Sequence, residues 1–150
     1  MHHYYCFIFR LPGYGDMSTL EKGIENSILK FLMKIGVFCW KNQSVGIYDP
    51  IKRTFRRANN QAHIKGVSDI LGIIEGKFLA IEVKSAKGQV TPEQRSFLAR
   101  INNEGGIAFV ARNVDQVARE LYKHFPEHKI LKQMIAHEWG KPSDIDKTKH

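Results

Sequence analysis

Apolar residues alternate between two periods along this chain, and the alternation predicts its elements. Ile24, Ile28, Phe31, Leu32 and Ile35 recur at helical spacing and stop at Gly36. Ser18-Thr-Leu-Glu21 reads as a capping box for that helix, the hydroxyl and the carboxylate satisfying its first amides. Val37 to Trp40 is a short strand, and residues 41–65 are polar and irregular with a weak hairpin. Two runs rich in Ile, Leu, Val and Phe, 67–74 and 77–84, flank Glu75-Gly76 and read as a β-hairpin. Thr91-Pro-Glu-Gln94 opens a second helix that turns Phe97, Leu98 and Ile101 inward and ends at Gly105-Gly106. Ile107 to Ala111 is a buried strand and 114–125 a helix, with Leu121 and Phe125 one turn apart. Residues 127–139 add a further helix before a loose end from Gly140. Helices interleaved with strands, one pair of strands being a hairpin, imply an α/β sandwich with a mixed sheet.

At 150 residues the chain has the size of one domain, and its 43% hydrophobic content is enough for a core. No apolar run is long enough to cross a bilayer, and Tyr4 to Phe9 is too short and badly flanked for a signal peptide. Cys6 and Cys39 make no disulfide framework, so the expected setting is a reducing cytoplasm. Residues 1–17 read as an extension, with Met17 as a candidate functional start. The expected division is 18–125 for the domain and 126–150 for a terminal helix and tail.

Charge narrows the partners. Lys and Arg number 23 against 15 Asp and Glu, a formal charge of +8 that favours polyanions, nucleic acid first among them. The densest basic stretch is 41–65, six cations to one acid, Asp49, with Trp40, Tyr48 and Phe55 interleaved. Lys52, Arg53, Arg56, Arg57 and Lys65, with Lys87 beyond the hairpin, are the candidate phosphate contacts; such contacts supply affinity without reading bases. The alternative is an ordinary solvated loop.

The hairpin carries the candidate chemistry. With Glu75 and Gly76 as a two-residue turn, Asp69 falls opposite Glu82, and side-chain alternation puts Lys84 on the same face. Two facing carboxylates repel unless something sits between them, and a divalent cation is the natural occupant. Lys84 could orient or deprotonate a bound water, or stabilise charge on a phosphate. Glutamate is a poor first residue for a type I′ turn, and a bulge there would offset the two acids. The plain alternative is a solvent-facing ion pair. His124 and His128 have the spacing of a zinc pair, but Pro126 lies between them and no third ligand is evident. His63 near the hairpin could approach phosphate, though a lone histidine is more often structural. Cys39 reads as a core residue. No Walker loop or dinucleotide fingerprint is present, so no nucleotide cofactor is expected.

Taken together, Lys65-Gly-Val-Ser-Asp69-Ile-Leu-Gly, Ala80-Ile-Glu82-Val-Lys84-Ser, Gly88-Gln-Val-Thr-Pro-Glu-Gln94 and Gly105-Gly-Ile-Ala-Phe-Val-Ala111 resemble the VRR-NUC domain. That domain belongs to the PD-(D/E)XK nuclease superfamily, and the resemblance covers roughly residues 18–118. It implies a restriction-endonuclease-like core, a mixed β-sheet flanked by helices in αβββαβ order. It also implies that Asp69 and Glu82 bind Mg²⁺ or Mn²⁺ with the Val83 carbonyl, that Lys84 is catalytic, and that Gln94 lines the site. Ser68 stands where the family often has proline. A first-helix glutamate is implied too. Glu25 is preferred over Glu21, because Glu21 already has an explanation in the capping box. The activity implied is metal-dependent hydrolysis of DNA, structure-selective on branched forms such as Holliday junctions, by a homodimer in phage or mobile-element biology. The rivals are a silent DNA-binding module and a nuclease for linear or single-stranded nucleic acid.

Overall fold

The computed structural model describes residues 17–42, 47–56 and 64–138. The elements are α1 (Met17–Lys34), β1 (Phe38–Lys41), β2 (Ile47–Asp49), β3 (Thr54–Arg56), β4 (Ile70–Ile74), β5 (Lys77–Val83), α2 (Pro92–Asn103), β6 (Ile107–Ala111), α3 (Val114–His124) and α4 (Lys129–Glu138). Among the described residues a four-stranded sheet runs in the order β1-β4-β5-β6, and β2 and β3 form a separate two-stranded ribbon. Strands β1, β4 and β5 are antiparallel neighbours, whereas β6 runs parallel to β5. A parallel neighbour needs a crossover, and α2 supplies it.

The β4–β5 register pairs Ile70 with Ile81 and Ile74 with Lys77. Glu75 and Gly76 form the two-residue connection, with φ of 47° and 78°. Both values lie in the left-handed region that a type I′ turn needs, so no bulge intervenes. The turn is nonetheless strained at Glu75, because a residue with a Cβ loses on the order of 1 kcal/mol there. Glu75→Asn keeps the register and is expected to stabilise the fold by about 0.5–1 kcal/mol. A urea midpoint at or below that of the parent would show that the turn is not limiting.

Helices pack against both faces of the sheet. On one, Ile28, Phe31, Leu32 and Ile35 of α1 pack with Ile70, Leu79, Ile81, Val83 and the buried side of α3, and Leu131 of α4 joins the same core. On the other, Leu98 of α2 packs over Ala80 and Ala108, with Phe97, Ile101 and Leu71 around them. Cys39 is half-buried against the first of these cores, and burial lifts its thiol pKa. Strand β6 is an edge, and Asn102 covers part of it by bonding both the N–H and the C=O of Ala108 at 2.8 Å.

Helix α2 begins as its spacing predicts. Thr91 Oγ accepts from the Gln94 amide at 3.2 Å and Gln94 Oε1 accepts from the Thr91 amide at 2.9 Å, with Pro92 next. The first capping box does not form. Helix α1 is already helical at Met17, so Ser18 is its second residue, and Glu21 is drawn into a tertiary contact instead. Helix α3 is capped by Asn113, whose Oδ1 accepts from Gln116. Residues 1–16, 43–46, 57–63 and 139–150 lie outside the described residues, and with them Arg57, His63, Cys6 and the loose end.

Candidate active site

The hairpin register places Asp69 opposite Glu82, one step beyond the last ladder pair. Ladder bonding stops there because the Asp69 side chain takes over: its Oδ2 accepts the Val83 amide at 2.8 Å. On β5, Glu82 shares a face with Ala80 and Lys84, under the N-terminal turn of α2. The carboxylate of Glu82 is completely buried. Its Oε1 accepts from Lys84 Nζ at 2.8 Å and from the side-chain amide of Gln94. Its Oε2 is buried with no hydrogen-bond partner among the described residues.

Gln94 therefore has two tasks at once. Its amide oxygen closes the helix cap, and its amide nitrogen points at Glu82. Gly66 makes this possible. Its φ is +73°, and a Cβ there would lie 2.4–2.6 Å from backbone atoms of Glu93 and Gln94. Without a side chain, the segment leading to Asp69 can rest directly on the first turn of α2. Ser68, next to Asp69, is fully buried with a hydroxyl that has no partner among the described residues.

Electrostatics at this row are unusual for surface carboxylates. Burial pushes Glu82 up from 4.5 to about 7; the hydrogen bond to Lys84 opposes this and the charge of Asp69 adds to it. Burial works against the Lys84 ammonium, but its hydrogen bond to Glu82 and the charges of Glu82, Glu21 and Asp69 lift its pKa above the ordinary lysine value. Lys84 is thus held as a cation, which favours a charge-stabilising role over that of a base.

The two first-helix acids part company. Glu25 is buried and its Oε1 lies 2.6 Å from Lys41 Nζ, at the end of β1. Glu21 Oε1 accepts the Ser85 amide at 2.9 Å, close to Lys84 and against Gly88. Local capping thus does not account for Glu21. Among the described residues, no three His, Cys, Asp or Glu side chains come together as a metal-binding group, so Glu25 does not complete one with Asp69 and Glu82. His128 caps α4, its Nδ1 3.4 Å from the Leu131 amide, and His124 is exposed beside Phe125.

One contributor was not singled out by the sequence pattern. Arg112 donates from Nη1 to the Ser85 carbonyl and from Nη2 to the Gly88 carbonyl, the latter at 3.0 Å. Together with Glu21 it fixes the loop that follows Lys84. The signal was available, because Arg112 directly follows a strand parallel to β5 and so emerges at the same end of the sheet.

Of the basic candidates, Lys65 and Lys87 are exposed close to this row in the chain, and Lys52 and Arg53 are exposed in the turn between β2 and β3. Arg56 lies in β3. The β2–β3 ribbon is an insertion rooted at the candidate site. The chain leaves β1 at Asn42, whose amide bonds the Asp69 carbonyl at 2.7 Å, and re-enters the sheet at Ile70.

No helix among the described residues is long and apolar enough to cross a membrane. Residues 46–115 match the family model described as VRR-NUC domain. No curated protein matches the chain. A solved structure described as a VRR_NUC domain protein is 16% identical over 78% of this chain and 90% of its own, with a TM-score of 0.43. The stretch that carries Asp69, Glu82, Lys84 and Gln94 is thus similar to VRR-NUC domains, and that match supports a nuclease-type function.

Proposed function

We infer that this chain is a divalent-metal-dependent deoxyribonuclease that hydrolyses phosphodiester bonds and selects branched DNA. The observation that carries the metal is Glu82: a fully buried carboxylate with one oxygen unpartnered, facing a second carboxylate. A buried carboxylate oxygen without a partner is costly, and the paired oxygen donors of Asp69 and Glu82 suit Mg²⁺ or Mn²⁺. Asp69 and Glu82 would hold the cation, with the Val83 carbonyl as the further donor. When bound, such an ion lowers the pKa of water and neutralises charge on a phosphate oxygen.

The protein's own groups do the rest. Lys84 places a fixed ammonium where negative charge builds on the phosphate. Gln94 holds the Glu82 carboxylate in one orientation, and Asp69 is pinned by the Val83 amide. Glu21 and Arg112 keep the loop after Lys84 from drifting, while Glu25 remains with Lys41. Lys52, Arg53, Arg56, Arg57, Lys65 and Lys87 would follow the backbone of the nucleic acid without reading its bases. Selection of branched DNA, and a two-fold homodimer that cuts opposing strands, are supported by the resemblance in the sequence motifs.

The test is a cleavage assay on labelled linear duplex, single-stranded DNA and a four-way junction, each in Mg²⁺, Mn²⁺ and EDTA. Cutting that needs metal and favours the junction is expected. Metal-dependent cutting that favours linear or single-stranded DNA would retain the nuclease and remove the branch selectivity. Tight binding without cutting under either metal would make the chain a silent DNA-binding module.

A further inference from the structure

The α2 side of the sheet is only half covered. Helix α2 lies over β5 and β6, while the β1–β4 half of the same face carries exposed apolar side chains. Phe38 is 70% exposed and Trp40 39%, and their cross-strand neighbours Ile73 and Phe78 are exposed as well. Cross-strand partners share a face, so the pairing puts these residues in rows: Phe38, Ile73 and Phe78, then Trp40, Leu71 and Ala80. The next row is the candidate catalytic one, because Asn42 bonds the Asp69 backbone and Asp69 faces Glu82.

We propose that Trp40, with Phe38 behind it, is a stacking platform for an unpaired base of the substrate strand, one or two nucleotides from the phosphate held at Asp69, Glu82 and Lys84. This rests on the nuclease reading and adds a substrate feature to it. Rows of a strand lie about 7 Å apart on one face. Successive phosphates of a stacked strand rise about 3.4 Å along the helix axis and spread further once bases unstack, so that step spans one or two nucleotides. The rings of Phe38 and Trp40 sit 5.6 Å apart and tilted by 51° rather than stacked in parallel, and both side chains stay exposed. Every base has a π-face to lay on such a ring, whatever the sequence.

A base fits this position better than a protein partner does. A second copy seated on Trp40 would overhang the catalytic row and close it to a strand of nucleic acid. A base is thin and brings its own phosphate toward that row. The surroundings carry the matching charge: Lys65 and Lys87 are exposed on either side of the hairpin, and the basic insertion begins two residues after Trp40.

The test uses the fluorescence of Trp40. Trp139 is the other tryptophan of the chain, so Trp139→Phe leaves Trp40 as the only tryptophan emitter. A short single-stranded oligothymidylate is titrated in EDTA, with its binding followed independently by anisotropy of a label. Saturable quenching that tracks the anisotropy is expected, and Trp40→Ala should weaken single-strand binding about tenfold. Binding without quenching, binding unchanged in Trp40→Ala, or no binding at all would each overturn the proposal. A Trp40→Ala protein that falls from dimer to monomer in sedimentation while keeping its affinity would make this face a protein interface. The nuclease reading fails separately, if the wild-type protein cuts nothing in Mg²⁺ or Mn²⁺.

Discussion

Replacing Lys84 by alanine is expected to lower the rate of DNA cleavage about a hundred- to thousandfold, the usual cost of removing one preorganised charge at a developing anion. The reason lies in its surroundings. Lys84 is largely buried, bonds Glu82 at 2.8 Å, and is held in its protonated form by three acids. A cation fixed in advance does not reorganise when charge builds on the phosphate. Lys84→Arg keeps the charge and should retain more activity than Lys84→Ala or Lys84→Gln, measured as single-turnover rates on one labelled junction. Equal loss in the arginine and alanine variants would assign Lys84 a proton-transfer role, which arginine cannot fill.

The second large effect is on stability. Glu82 has a folded pKa of about 7 against an ordinary 4.5, so the folded protein binds its proton more tightly than the unfolded chain does. Stability from this group is fully present below pH 4.5, falls as pH rises, and is lost once pH passes about 7. With each pKa unit worth about 1.4 kcal/mol, the loss is about 3 kcal/mol. In EDTA, wild type should therefore lose stability between pH 5 and 8, while Glu82→Gln, isosteric and neutral, should lose much less. Divalent metal should reverse the loss in wild type alone, by about 2.7 kcal/mol at a hundredfold excess over its Kd. Chemical denaturation at pH 5 and pH 8, with and without Mn²⁺, measures all of this. An identical pH response in Glu82→Gln would show that another group carries it, and no metal effect on wild type would remove the proposed cation site.

The branch points of the fold were readable because they depend on local chemistry. The Glu75-Gly76 turn needs two residues with positive φ, and once its length is known, arithmetic alone sets Asp69 against Glu82. The cap at Thr91 and Gln94 likewise involves atoms three residues apart. The same proximity misled at Glu21, where a capping box of the same form is abandoned for the Ser85 amide 64 residues away. Nothing in the first helix announces that amide. It becomes available only because β5 ends beside the start of α1.

Amino-acid order by itself determined the helices and strands, the mixed α/β class, the hairpin register, and the shared face of Asp69, Glu82 and Lys84. Those follow from side-chain periodicity and turn geometry, which act over a few residues. Tertiary structure decided what the site is like. It buried Glu82 completely, left one of its oxygens without a partner, gave Gln94 a second bond beyond its cap, and set Glu25 on Lys41. It also brought Arg112 and Glu21 to the loop after Lys84 and left Trp40 partly exposed one row from Asp69 and Glu82. Burial and long-range hydrogen bonds depend on which elements pack together, and a periodic pattern carries no record of what lies across the gap.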